Sequence, residues 1–98
     1  MRMLLKAVMD TEAANQDAQG VENTTRLVEA LKAEAAYFLV EDGQRCCLVV
    51  FEMEDPAQIP VICEPLFLGA RAKVTLTPCM TLEDLTTGFA RFRSAQGE

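Results

Sequence analysis

Histidine and tryptophan are absent from the 98 residues, tyrosine occurs once, and basic side chains are few, with 9 Lys and Arg against 15 Asp and Glu. Each shortage removes a class of function. Without imidazole the chain has no side chain whose ordinary pKa lies near neutrality, which excludes Ser-His-Asp and Cys-His catalysis and imidazole-ligated metals. A formal charge of -6 and a pI near 4.6, with the basic residues scattered, argue against a phosphate-tracking surface, so no nucleic acid is expected as a partner. The longest strongly apolar run, residues 46–51, falls far short of the ~20 residues that span a bilayer, so no membrane association is expected. Lys6 and Asp10 interrupt the opening Met1-Arg2-Met3-Leu4-Leu5 before a signal-peptide core develops, which predicts a cytoplasmic, acidic protein.

What is present is apolar surface. Half of the residues are hydrophobic, too many for a disordered chain, and the length fits a single domain. Cys46, Cys47, Cys63 and Cys79 form no C-x-x-C pair. The adjacent Cys46 and Cys47 lie in a strand-like run and point to opposite faces, so they cannot jointly grip one metal ion. The four read as small apolar residues of a reducing compartment, and neither a metal nor another cofactor is expected.

Residues 3–9 read as a strand interrupted by Lys6. Asp10 and Thr11 are N-cap types, and Ala14, Ala18, Val21, Thr25, Val28 and Leu31 make one helical stripe from there, with Gly20 as the point where the helix frays or splits. Residues 35–41 and 44–53 are β-rich runs around Asp42-Gly43, a pair that predicts a type I′ hairpin. Asp55, Pro56 and Gln58 suit the cap, first position and capping-box partner of a second helix, stepped by Pro60 and Pro65 and ending near Gly69. Residues 72–80 form an edge strand limited by Pro78. Thr81 and Asp84 open a last helix over about 82–93 with the stripe Leu82, Leu85, Phe89 and Phe92, followed by a loose tail, 94–98.

The succession predicts an α+β domain over 1–93: a ferredoxin-like βαββαβ sandwich with a four-stranded antiparallel sheet of order 4-1-3-2 and a C-terminal helix. Period-two alternation then assigns the faces. Met3, Leu5, Ala7, Met9, Phe38, Val40, Arg45, Cys47, Val49, Phe51, Val74, Leu76 and Met80 belong beneath the helices. Leu4, Lys6, Val8, Tyr37, Leu39, Glu41, Gln44, Cys46, Leu48, Val50, Glu52, Lys73, Thr75, Thr77 and Cys79 belong on the helix-free face. Burying an unpaired ammonium under helices is unfavourable, which fixes the choice through Lys6. So much aliphatic surface on an open face calls for a cover: the last helix folding back, a second copy, or both, with the homodimer favoured. Such a dimer would pair Lys6 with Glu52 and leave a partly polar cavity around Tyr37.

The element order, the Glu41-Asp42-Gly43 hairpin, the Glu54-Asp55-Pro56 step and the strand ending Thr77-Pro78-Cys79-Met80 resemble small uncharacterised bacterial proteins of the dimeric α+β barrel superfamily. The resemblance implies two sheets face to face in a dimer, in a superfamily that includes cofactor-free monooxygenases and muconolactone-type isomerases. The histidine that several of its catalytic members use has no counterpart here.

The sequence therefore yields two functions of different class. The favoured one is a non-enzymatic homo-oligomeric module with a small apolar ligand between sheets, held by Lys6, Tyr37, Leu39, Cys46, Leu48 and Glu52. The alternative is a cofactor-free isomerase or monooxygenase in which Lys6, Tyr37 and Glu52 are the candidate catalytic groups, a desolvated Lys beside a phenol and a carboxylate. Glu52, Glu54 and Asp55 straddle a strand end and a cap, a poor hard-cation site. Asp10, Glu41, Asp42, Arg45, Arg71 and Lys73 form a mixed-charge rim.

Overall fold

A computed structural model describes residues 1–97 of the chain. The elements run β1 (Arg2–Val8), α1 (Thr11–Gln16), α2 (Gly20–Ala30), β2 (Ala35–Glu41), β3 (Gln44–Glu52), α3 (Gln58–Ala70), β4 (Lys73–Pro78) and α4 (Leu82–Gln96). The protein is an α+β structure with one four-stranded sheet in the order β2-β3-β1-β4, in which every neighbouring pair is antiparallel.

The hairpin follows from two residues. Asp42 and Gly43 take φ of 50° and 75°, the left-handed values that a type I′ turn demands, and so Glu41 pairs with Gln44 and Tyr37 with Leu48. Across the sheet Lys6 stands opposite Leu48 on one side and Thr75 on the other. These registers put Lys6, Tyr37, Leu39, Cys46, Leu48 and Thr75 on one face. Met3, Leu5, Ala7, Cys47, Val49 and Phe51 occupy the other, where they form the buried core with Ile62, Cys63 and Ala72. Leu27 and Val28 from α2, Leu31 at its C-cap, and Leu66 and Ala70 from α3 close over them. Full burial of a side chain such as Phe51, Leu5 or Val49 stabilises the fold by about 1.5–3 kcal/mol each.

Several local expectations are corrected. The first helix does split before Gly20, as expected, but it is Asp17 that turns the chain: its carboxylate accepts from the Gln19 backbone N–H, and its own N–H reaches the Ala14 carbonyl. Asp55 and Gln58 act one turn early. Asp55 Oδ1 accepts from the Ala57 N–H at 2.7 Å and Gln58 Oε1 from the Glu54 N–H at 2.7 Å, and the helix proper begins only at Gln58. Arg71, with φ of 46°, takes the left-handed terminating position expected near Gly69. Met80, placed beneath the helices by alternation, is 69% exposed, because β4 ends at Pro78 and the alternation ends with it. Residues 94–96, expected in a loose tail, continue α4.

Candidate functional site

The helix-free face is where the sequence placed its chemistry, and Lys6 is at its centre. The Lys6 ammonium does not meet Glu52; it bonds Glu41 Oε1 at 2.7 Å. Glu52 lies at the opposite end of the sheet, opposite Arg2, and its carboxylate accepts from the amino group of Met1. Tyr37 is 66% exposed on the outer strand, opposite Leu48. Within one chain the candidate catalytic trio Lys6, Tyr37 and Glu52 is therefore not assembled, since Glu52 is displaced along β3 by the pairing that sets Lys6 against Leu48. The hydrogen bond to Glu41 holds the Lys6 pKa above its ordinary value, the reverse of what a neutral lysine base requires.

Alternation places Glu41 on the same face as Lys6 and at the mixed-charge rim, but not as the partner of that ammonium. The bridge spans from β1 to β2 over the intervening β3, and the β3 residue beneath that diagonal is Cys46. This explains why Cys46 is only 2% exposed on a face that no helix covers. Burial pushes its thiol pKa up, with the Glu41 carboxylate adding to the effect, so Cys46 is a packed thiol rather than a nucleophile. Burial likewise raises the thiols of Cys47 and Cys63. Among the described residues no group of three His, Cys, Asp or Glu is arranged to hold a metal ion, and no helix is long and apolar enough to cross a membrane.

Around the Lys6–Glu41 bridge, Leu4, Val8, Leu48 and Val50 are half-buried and Leu39 is exposed. The C-terminal helix, one expected cover, does not fold back onto them. Its start is well built: the Thr81 hydroxyl accepts from the Asp84 N–H at 3.1 Å and the Asp84 carboxylate from the Thr81 N–H at 3.0 Å. That bond holds the Asp84 pKa below its ordinary value. Arg2, which pairs with Glu34 at 2.6 Å, reaches Asp84 at 3.9 Å and is the charged tie from β1 to this helix. Every residue from Leu82 to Gln96 is exposed, including Phe89 at 50% and Phe92 at 58%. The helix projects, giving a radius of gyration of 16.5 Å, where a compact chain of this length has about 12–13 Å.

A second concavity lies on the opposite side of the sheet. Between α2 and α3, over the far ends of β2 and β3, is a cleft of about 1170 Å³. Phe38 and Val40 are on its floor, on the side of the sheet that carries the core, and both are exposed. Arg45, paired with Val40, shares that floor. A signal for this opening was present in the sequence: Arg45 alternates in phase with Cys47, Val49 and Phe51, and a guanidinium on the covered side marks where the cover ends.

Compared with known proteins, the chain matches no family model, and none of the curated proteins or solved structures is significantly similar to it.

Proposed function

We propose that this protein is a non-enzymatic, self-associating α+β module, in which two copies face each other through their helix-free sheets and each α4 lies across the sheet of the other. The observation that carries the reading is α4 itself. An isolated helix of 15 residues is marginal in water, and an apolar stripe of Leu85, Phe89 and Phe92 with nothing against it has no reason to be retained by a monomer.

The dimensions agree. Fifteen helical residues extend about 22 Å, and the seven residues of β1 about 23 Å. The exposed parts of Met80, Leu82, Leu85, Phe89 and Phe92 together amount to roughly 500 Å² of apolar area. In a two-fold exchange each copy gives one such helix and receives another on its sheet. This buries on the order of 1,000 Å² per partner, above the ~800 Å² of a standard interface. The sheet order read from the β4 edge is 4-1-3-2, and with the β-α-β-β-α-β succession it supports a ferredoxin-like sandwich of the dimeric α+β barrel kind.

Light scattering at micromolar concentration tests the reading. The expected mass is twice 10.8 kDa, falling to a single chain in Phe89→Asp, whose circular dichroism should still be that of a folded protein. A wild-type chain that remains monomeric at these concentrations overturns it.

A further inference from the structure

We infer that the cleft between α2 and α3 is a binding site for an amphipathic anion, a small molecule with an apolar body and a carboxylate-type head. The site is on the other side of the sheet from the self-association surface and stands independently of it. Its origin is visible in how the two helices pack. The second half of α2 and its C-cap hold the core through Leu27, Val28 and Leu31, whereas Val21 in its first turn is almost fully exposed. On the other wall Ile62 and Leu66 of α3 belong to the core and also line the cleft. The floor between them keeps an uncovered aromatic ring, Phe38, 62% exposed on the side where the same sheet buries Phe51 to 1%. An aromatic ring and a valine held open between the apolar wall of α3 and the mixed wall of α2, where Val21 and Leu27 alternate with Asn23, Thr24 and Arg26, make the interior of a pocket for an amphipathic ligand, and about 1170 Å³ exceeds what a drug-sized molecule needs.

The charges in the lining choose the head group. Arg45 and Arg26 both line the cleft, and neither takes part in an ion pair among the described residues. The carboxylate that shares the lining, Asp17, accepts from the Gln19 N–H. Two guanidinium groups against one carboxylate give a locally positive lining on a protein whose net charge is -6. A guanidinium recognises a carboxylate through paired N–H donors, and the apolar floor rewards a chain or ring attached to it. A purely polar anion would leave Phe38 and Val40 wet, and an uncharged lipid would leave the arginines unused.

The test is calorimetric titration of the full-length protein with dodecanoate and, in parallel, dodecanol, both below their aggregation limits. Dodecanoate should bind saturably and dodecanol more weakly. Arg45→Met should weaken dodecanoate by about tenfold or more and leave dodecanol unchanged. Arg45 is exposed, so folding is not at stake in that variant. Gly69→Phe is the steric counterpart: Gly69 lines the cleft and a Cβ there meets nothing within 4 Å, so the ring should fill the space and abolish binding of both probes. Three results overturn the inference: no saturable binding of dodecanoate, equal affinity in Arg45→Met, or binding that appears only in Phe89→Asp. The last would mean that the cleft is occupied by α4 of a second copy.

Discussion

The two faces of the sheet differ both in composition and in what lies against them. Beneath the helices, Met3, Leu5, Ala7, Cys47, Val49 and Phe51 are all buried, and the alternation along β1 is unbroken. On the helix-free face the alternate residues Arg2, Leu4, Lys6 and Val8 are all half-buried, and only Cys46 is fully covered, by an ion pair instead of an element of structure. One face is finished within the chain. The other is partly finished, and the apolar helix that could complete it points away from its own sheet. A monomer can close a core with helices; the half-buried aliphatic face and the exposed aromatic stripe of α4 are the surfaces that the proposed self-association would cover.

The sharpest way to break this contrast is in the core. Phe51→Ala should lower stability by about 3–5 kcal/mol in chemical denaturation, by an amount independent of protein concentration. A loss under about 2 kcal/mol would show that the helix-covered face is looser than its burial suggests. On the other face the signature is mass action. The wild-type unfolding midpoint should rise with protein concentration and that of Phe89→Asp should not, a difference of about 2 kcal/mol or more in association for an aromatic at the centre of an interface. A midpoint that ignores concentration in both would return the helix-free face to solvent.

Smaller effects separate α4 from the body. Thr81→Ala should cost about 1 kcal/mol, read as faster amide exchange in the first turn of α4 with β1 and β3 unaffected. The same cap depends on pH. The folded-state pKa of Asp84 is depressed, so its contribution is complete above the ordinary carboxylate value of 3.8 and is lost as pH falls through the lower folded value. On the alkaline side the order is reversed. The buried thiols have raised pKa values, so their contribution is complete below 9.0 and declines as pH rises beyond it. The raised Lys6 adds a loss only above 10.5.

The least disruptive change tests the ion pair as a cover. In the monomeric Phe89→Asp background, Lys6→Ala should leave the fold in place and make Cys46 accessible to a thiol reagent, where before it only the half-exposed Cys79 reacts rapidly. Unchanged labelling would mean that the neighbouring strands, and not the bridge, protect Cys46.

The alternation of β1, the Asp42-Gly43 turn and the Thr81–Asp84 cap were legible in the sequence because each is decided within a few residues by backbone sterics and local hydrogen bonds. From them followed which side chains share a face and where α4 begins. Tertiary structure decided what those faces meet. The partner of Lys6 depended on the β1–β3 register, a pairing between segments some forty residues apart, which set Leu48 and not Glu52 beside it. The cleft over Phe38 depended on where α2 and α3 stop along the sheet, and the exposure of α4 on its failure to fold back. Local chemistry fixes a residue's conformation and orientation, whereas the distance to a partner elsewhere in the chain is set only when all the elements pack at once.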